Sequence, residues 1–206
     1  PEWLLDLEIF DGPIEAGLFE DTFYPTYRKK HGDREPHRPH DLENYLPPLV
    51  MVKRAPGEDR DAPKSYRGPN RTMAYSSNFY GFSGHGHADA QLLRDTVHLI
   101  CHSQLFQHFA YMHSVEIGAK KRILQKSDIA AFPFPEVSKF TVEQRKNAHR
   151  FAAILDSNGE KDWPALDSFV GELYGLTKAE QRVVADTVNF NGPYGVVRQA
   201  AAQPVP

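Results

Sequence analysis

The sequence predicts a mixed α/β chain of the α+β class: a small twisted sheet packed on a long helix, followed by a C-terminal helical element. Two observations carry this. Short apolar or alternating runs dominate up to residue 83, and apolar residues recur at helical spacing after residue 88. A third is the double Phe-Pro pair at 132–135, after which the pattern turns wholly helical. The expected division is a body over 1–138 and a helical element over 139–206.

Taken in order, residues 1–24 intersperse acids with Trp3, Leu4, Leu5, Ile9, Leu18, Phe19 and Phe23, as in a segment that packs against something else. Residues 25–44 are rich in Pro, His and charge and read as an exposed loop. Pro47 and Pro48 set the start of a buried strand over 49–52. A second polar loop follows at 55–70. Residues 72–75 and 79–82 alternate around Ser76, Ser77 and Asn78, the pattern of a hairpin. The glycines of 81–87 lead into one long helix over 88–113, which starts near Asp89. Beyond the Phe-Pro stop, helices are expected over 141–156, 163–174 and 177–189, with Gly175 and Pro193 as punctuation.

Composition narrows the function. No apolar run approaches the roughly 18 residues of a membrane span, and no signal peptide is visible. The single Cys101 forbids an internal disulfide and points to a reducing, cytoplasmic home. A chain that opens on Pro1 is expected to be a piece of a longer protein. The net charge of −3 hides segregation. Residues 1–27 hold seven acids and no base, while 28–72 hold eleven Lys and Arg against seven acids. One face is expected to meet an anion and another solvent or a partner.

Histidine invites a metal reading, since there are ten. His31, His37 and His40 sit near Asp33 and Asp41, and His85 and His87 stand beside Asp89, but neither set has a standard zinc spacing. His98 and His102 share a helix face without the glutamate of an HExxH site. Neither a paired-carboxylate nor a nucleophile-elbow pattern is present, so no catalytic residue and no metal ligand is assigned. Recognition chemistry remains. Lys53, Arg54, Lys64, Arg67 and Arg71 flank the strands, with Asn70 among them, and Lys120, Lys121 and Arg122 form a second basic edge. Arg forks guanine, Asn matches adenine, and Lys holds phosphate. In an extended segment Lys121 is expected to project opposite to Lys120 and Arg122. Phe132 and Phe134 are expected to hold that loop in place.

The order of motifs also resembles that of a known family. LPPLVMVK at 46–53, RTMAYSSNFYGFSG at 71–84, LICHSQLFQHF at 99–109 and GAKKRILQKSDIAAFPFP at 118–135 together resemble the C-terminal target-recognition region of bacterial adenine-N6 DNA methyltransferases of restriction-modification systems, the type IIG kind especially. The resemblance spans about 42–189 and is most specific at 122–135. The stretch PFPEVSKFTVEQR at 133–145 is similar to the boundary before a helix in type I specificity subunits. This likeness implies a non-catalytic, double-stranded-DNA-binding domain. S-adenosylmethionine and the Asn-Pro-Pro-aromatic motif belong to a separate or upstream methyltransferase domain; Pro47 and Pro48 follow Leu46, so that motif is not here. Extruding a base for methylation requires a grip on both sides of the duplex, and a recognition domain supplies one of them. The alternatives are a protein-interaction scaffold, with helical tail and acidic segment docking a partner, and a metal-dependent nuclease built on the histidine loop.

Overall fold

The computed structural model of the chain describes residues 2–11, 24–34, 40–56, 59–113, 117–118, 121–157 and 159–191, with the backbone alone for 117, 118, 121, 122 and 191. It is a mixed α+β fold, as the patterning predicts. α1 (Glu2–Leu5) and β1 (Ile9–Phe10) lead to α2 (Tyr27–His31), a turn of helix inside a stretch expected to be loop. Thr26 is the reason: its hydroxyl accepts the Lys29 amide at 3.2 Å, and Gly32 closes the turn at a φ of 66°.

Four strands follow: β2 (Leu49–Lys53), β3 (Ser65–Arg67), β4 (Ala74–Tyr75) and β5 (Phe79–Ser83). β2 is central, antiparallel to β3 on one side and to β5 on the other. Period-2 alternation divides its side chains. Val52 joins the cluster under the long helices, whereas Leu49 and Met51 pack with Phe10, Tyr66 and Phe79 on the opposite face.

Two expectations are corrected here. Residues 65–67, read as polar loop, form strand β3, because Ser65 and Tyr66 are both buried and β2 offers an edge to pair with. The run 72–82 is not a hairpin. β4 instead pairs parallel with β1, Ile9 opposite Ala74, while β5 pairs with β2, Met51 opposite Gly81. The Tyr75 ring lies across Gly81, where an added Cβ would stand 2.2 Å from its Cε1.

The long helix is also two. α3 (Ala90–Cys101) ends at His102, and α4 (Gln104–His113) begins after Ser103. The Ser103 hydroxyl donates back to the Ile100 carbonyl at 2.7 Å and accepts the Phe106 amide at 3.2 Å, closing one helix and capping the next. Periodicity continues across this break, so apolar spacing alone does not reveal it. β6 (Ile117–Gly118) pairs antiparallel with β7 (Lys121–Arg122), and α5 (Lys126–Ala131) follows. The start signal of α5 is Gln125, and the Asp128 carboxylate accepts the Gln125 amide in a reciprocal capping box.

α6 (Val142–Asp156), α7 (Trp163–Leu173) and α8 (Lys178–Asn191) match the expected helices closely. Thr141 and Gln144 form the capping box of α6, and Gly175 leaves α7 at a φ of 64°. Pro193 lies outside the described residues. One apolar cluster runs from Val52 and Leu99 through Phe132 to Phe151, Leu166 and Val170, so residues on both sides of 138 build the same core. Among the described residues, no helix is long and apolar enough to cross a membrane.

Candidate nucleic-acid interface

Lys53 continues the alternation of Leu49 and Met51 and therefore emerges where their apolar face ends. Beyond it the chain is held on both sides. The Arg54 amide donates to the Asn78 carbonyl at 2.9 Å, and the Arg54 carbonyl accepts the Leu124 amide at 2.8 Å. The end of β2 is thus fixed between the β4–β5 turn and the segment leaving β7. An open groove of about 440 Å³ lies there, lined by Asp11, Lys53, Arg54, Ala55, Asn78, Phe79 and Ile123. Arg54 is held across it. Its Nη1 donates to the Ser77 carbonyl at 3.1 Å, and its guanidinium carbon lies 5.5 Å from the centre of the Tyr80 ring. Asp11 is ion-paired with Lys30. Partial burial works against that carboxylate, but bonds from Lys30 and Ser76 hold it below its ordinary pKa.

The other expected contact residues go to different places. Arg67 does not project from a loop. It lies in β3, donates Nε to Asp156 at 2.6 Å and Nη1 to Asp95 at 3.0 Å, and has only 18% of its side chain exposed. Lys64 also turns back, its amine donating to the Pro56 and Asp59 carbonyls, and burial pushes its pKa down to about 8. Asn70 is exposed on the β3–β4 connection, while Arg71 beside it donates to Glu8 at 2.6 Å. Lys120 lies outside the described residues. Lys121 and Arg122 form β7, whose backbone runs directly into groove-lining Ile123; their side-chain directions lie outside the described residues. The structure therefore brings Lys53 and Arg54 to one groove with Ile123, the residue after β7; Lys64 is bonded to Lys53 through its carbonyl, but neither it nor Arg67, Asn70 or Arg71 lines that groove.

Asn78 is the groove residue that sequence reasoning passed over. The alternating pattern marks it only as part of a hairpin tip, yet a Ser-Ser-Asn triplet between apolar strands is a visible signal, and Ser77 and Asn78 are exposed.

The buried histidines are structural. His98 is 1% exposed, with Nδ1 3.0 Å from the Ser65 hydroxyl and Nε2 3.1 Å from Asp156. That Ser-His-Asp order resembles a hydrolytic triad, but Ser65 is itself 1% exposed, so no substrate reaches its hydroxyl. His102 donates Nδ1 to the His98 carbonyl at 2.9 Å and accepts the Lys64 amide on Nε2 at 2.9 Å. Those two bonds require the neutral ring, and burial lowers its pKa well below the usual histidine range. Asp95, 3% exposed, receives Arg67, Arg94 and His149, the last at 2.7 Å. Burial would raise its pKa, and these partners overturn that and hold it low. The network ties β3 and α3 to α6. Among the described residues, no group of three or more His, Cys, Asp or Glu side chains could hold a metal ion.

No family model, curated protein or solved structure matches this chain.

Proposed function

We propose that this chain is a sequence-specific, non-catalytic DNA target-recognition domain of a restriction-modification adenine-N6 methyltransferase. In this reading double-stranded DNA is its ligand, and S-adenosylmethionine is bound by a separate methyltransferase domain. The observation that supports it most is the convergence on one open groove of Lys53 and Arg54 with the segment after β7, about seventy residues away in sequence. A strand end that presents Lys53 beside a polar turn braced by Arg54 offers a phosphate contact and base contacts from a rigid base. The order of motifs from LPPLVMVK to AAFPFP supports the methyltransferase assignment. Arg67 and Lys64 leave the contact set, since their donors are spent inside the fold.

The test is electrophoretic titration of the 206-residue chain against duplex DNA at several salt concentrations. Each phosphate contact is expected to add roughly 0.9 to the slope of log affinity against log salt. Lys53→Glu lowers affinity on all sequences alike and flattens that slope, and the chain alone transfers no methyl group. Absence of duplex binding at low salt overturns the reading. One feature favours a protein-docking role instead: Val183 and Phe190, two turns apart on one face of α8, are 60% and 73% exposed. Salt-independent partner binding without DNA binding would select that role.

A further inference from the structure

We infer that the turn at 76–78 reads the edge of an adenine through Asn78, and that Arg54 is the positioning residue of this turn rather than a DNA contact. The inference rests on the groove being a duplex-binding surface.

The turn is held through five of its six backbone donors and acceptors. Its base is anchored by the Ser76 amide on the Phe10 carbonyl at 2.9 Å. The Phe79 amide returns to the Ser76 carbonyl at 3.1 Å, and the Asn78 amide bonds the Ser76 hydroxyl at 3.3 Å. Arg54 takes the two remaining carbonyls, Asn78 through its backbone amide and Ser77 through Nη1. Apart from the Ser77 amide, which has no bond among the described residues, what the turn offers outward is side chain: Ser77 and Asn78 are both exposed. Among the described residues no group bonds the Asn78 carboxamide. A carboxamide presents one donor and one acceptor in a plane, the complement of adenine N6 and N7 in the major groove.

Arg54 is committed to the turn rather than free to read guanine from the side of its guanidinium. A guanidinium forks a base either through Nη1 and Nη2 or through Nε and one Nη. Nε is buried, which closes the fork through Nε, and Nη1 spends one of its two hydrogens on the Ser77 carbonyl. Its planar group over Tyr80 and its bond to the turn make it a strut. Lysine has the charge but neither the plane nor the reach to reproduce both contacts.

The experiment is selection from a random duplex library by the full 206-residue chain, with salt slope and melting temperature measured in parallel. Wild type is expected to enrich an A·T pair at one position. Asn78→Ala loses that preference, by about 5- to 150-fold, with non-specific affinity and salt slope unchanged. Asn78→Asp, which only accepts, moves the preference at that position toward cytosine, a gain that mere destabilisation does not produce. Arg54→Lys loses the same preference while the salt slope stays. The inference is overturned if wild type binds but enriches no A·T position, or if both Asn78 variants keep the wild-type profile. It is also overturned if Arg54→Lys keeps that profile while Arg54→Ala lowers the slope by roughly one contact, about 0.9. A wild-type chain that shows no salt-dependent duplex binding overturns the underlying reading and this inference together.

Discussion

Arg67 shows how little a residue type says until its partners are known. It is an arginine between Tyr66 and Gly68 in a basic stretch, and its guanidinium neutralises two carboxylates instead of meeting an anion from outside. Removing it leaves Asp95 buried and less well compensated, so Arg67→Ala is expected to cost about 3 kcal/mol in urea denaturation. Asp156 gives the same network an acid dependence. Burial opposes its ionisation, but His98 and Arg67 hold its pKa down at about 2 against an ordinary 3.8. A depressed folded value means the stabilisation is complete above the ordinary pKa and is lost as pH falls through about 2. With a third of the side chain exposed, its contribution is about 1–2 kcal/mol. Asp156→Asn should therefore lower stability at neutral pH and flatten the loss between pH 4 and 2; an unchanged acid limb would reject the assignment. Aromatic truncation separates two neighbours. Phe132 is 4% exposed and touches Phe106, Phe109 and Tyr174, so Phe132→Ala is expected to cost about 3–5 kcal/mol. Phe134, half-buried beside it, should cost clearly less on thermal denaturation.

At the scale of elements, helices and strands behave differently. The three C-terminal helices are predictable because capping and periodicity are local: Thr141 with Gln144, Asp162 accepting the Ala165 amide, and Glu180 accepting the Thr177 amide each lie within one turn. The break between α3 and α4 is local too, but its signal is one serine inside an unbroken apolar period. Strand partners are not local. β4 and β5 are separated by a three-residue turn and yet join different sheets, because β1 and β2 supply edges from elsewhere in the chain. Tyr75 packed on Gly81 is the hinge of that divergence, and Gly81→Ala tests it. The added methyl collides with the Tyr75 ring, so the ring must shift, with an expected loss of about 1–3 kcal/mol. Hydrogen exchange should rise first at β4 and the β4–β5 turn. A neutral Gly81→Ala with unchanged exchange would show that the ring moves freely.

For the whole molecule, the shared core decides how it unfolds. The cluster of Val52, Leu99 and Phe132 also contains Phe151, Leu166 and Val170, and Arg145 of α6 reaches Asp89 at 2.7 Å just before α3. Unfolding of the full chain is expected to be a single cooperative transition, and a fragment ending at 138 is expected to lack it, since it loses one wall of its core. Two separate calorimetric transitions would support a boundary at 138. Charge behaves similarly at this scale. The basic excess of 28–72 is visible in sequence, but much of it is consumed by internal acids: Arg28 by Asp6 and Asp33, Arg60 by Asp167, and Arg71 by Glu8.

The sequence by itself determined the α+β class, the strand at 49–52, the ends of α6, α7 and α8 to within two residues, and the residue types from which an anion-binding surface could be made. These depend on period, capping and turn chemistry, which act over a few neighbouring residues. Only the tertiary structure decided that Ser65–Arg67 is a strand, that 72–82 is no hairpin, and that Lys53 and Arg54 share a groove with Asn78 and Ile123 while Arg67 does not. Strand pairing and ion pairing are contests among partners far apart in the chain. Their outcome is set by which edges and carboxylates the folded core brings within reach, and no local pattern records it.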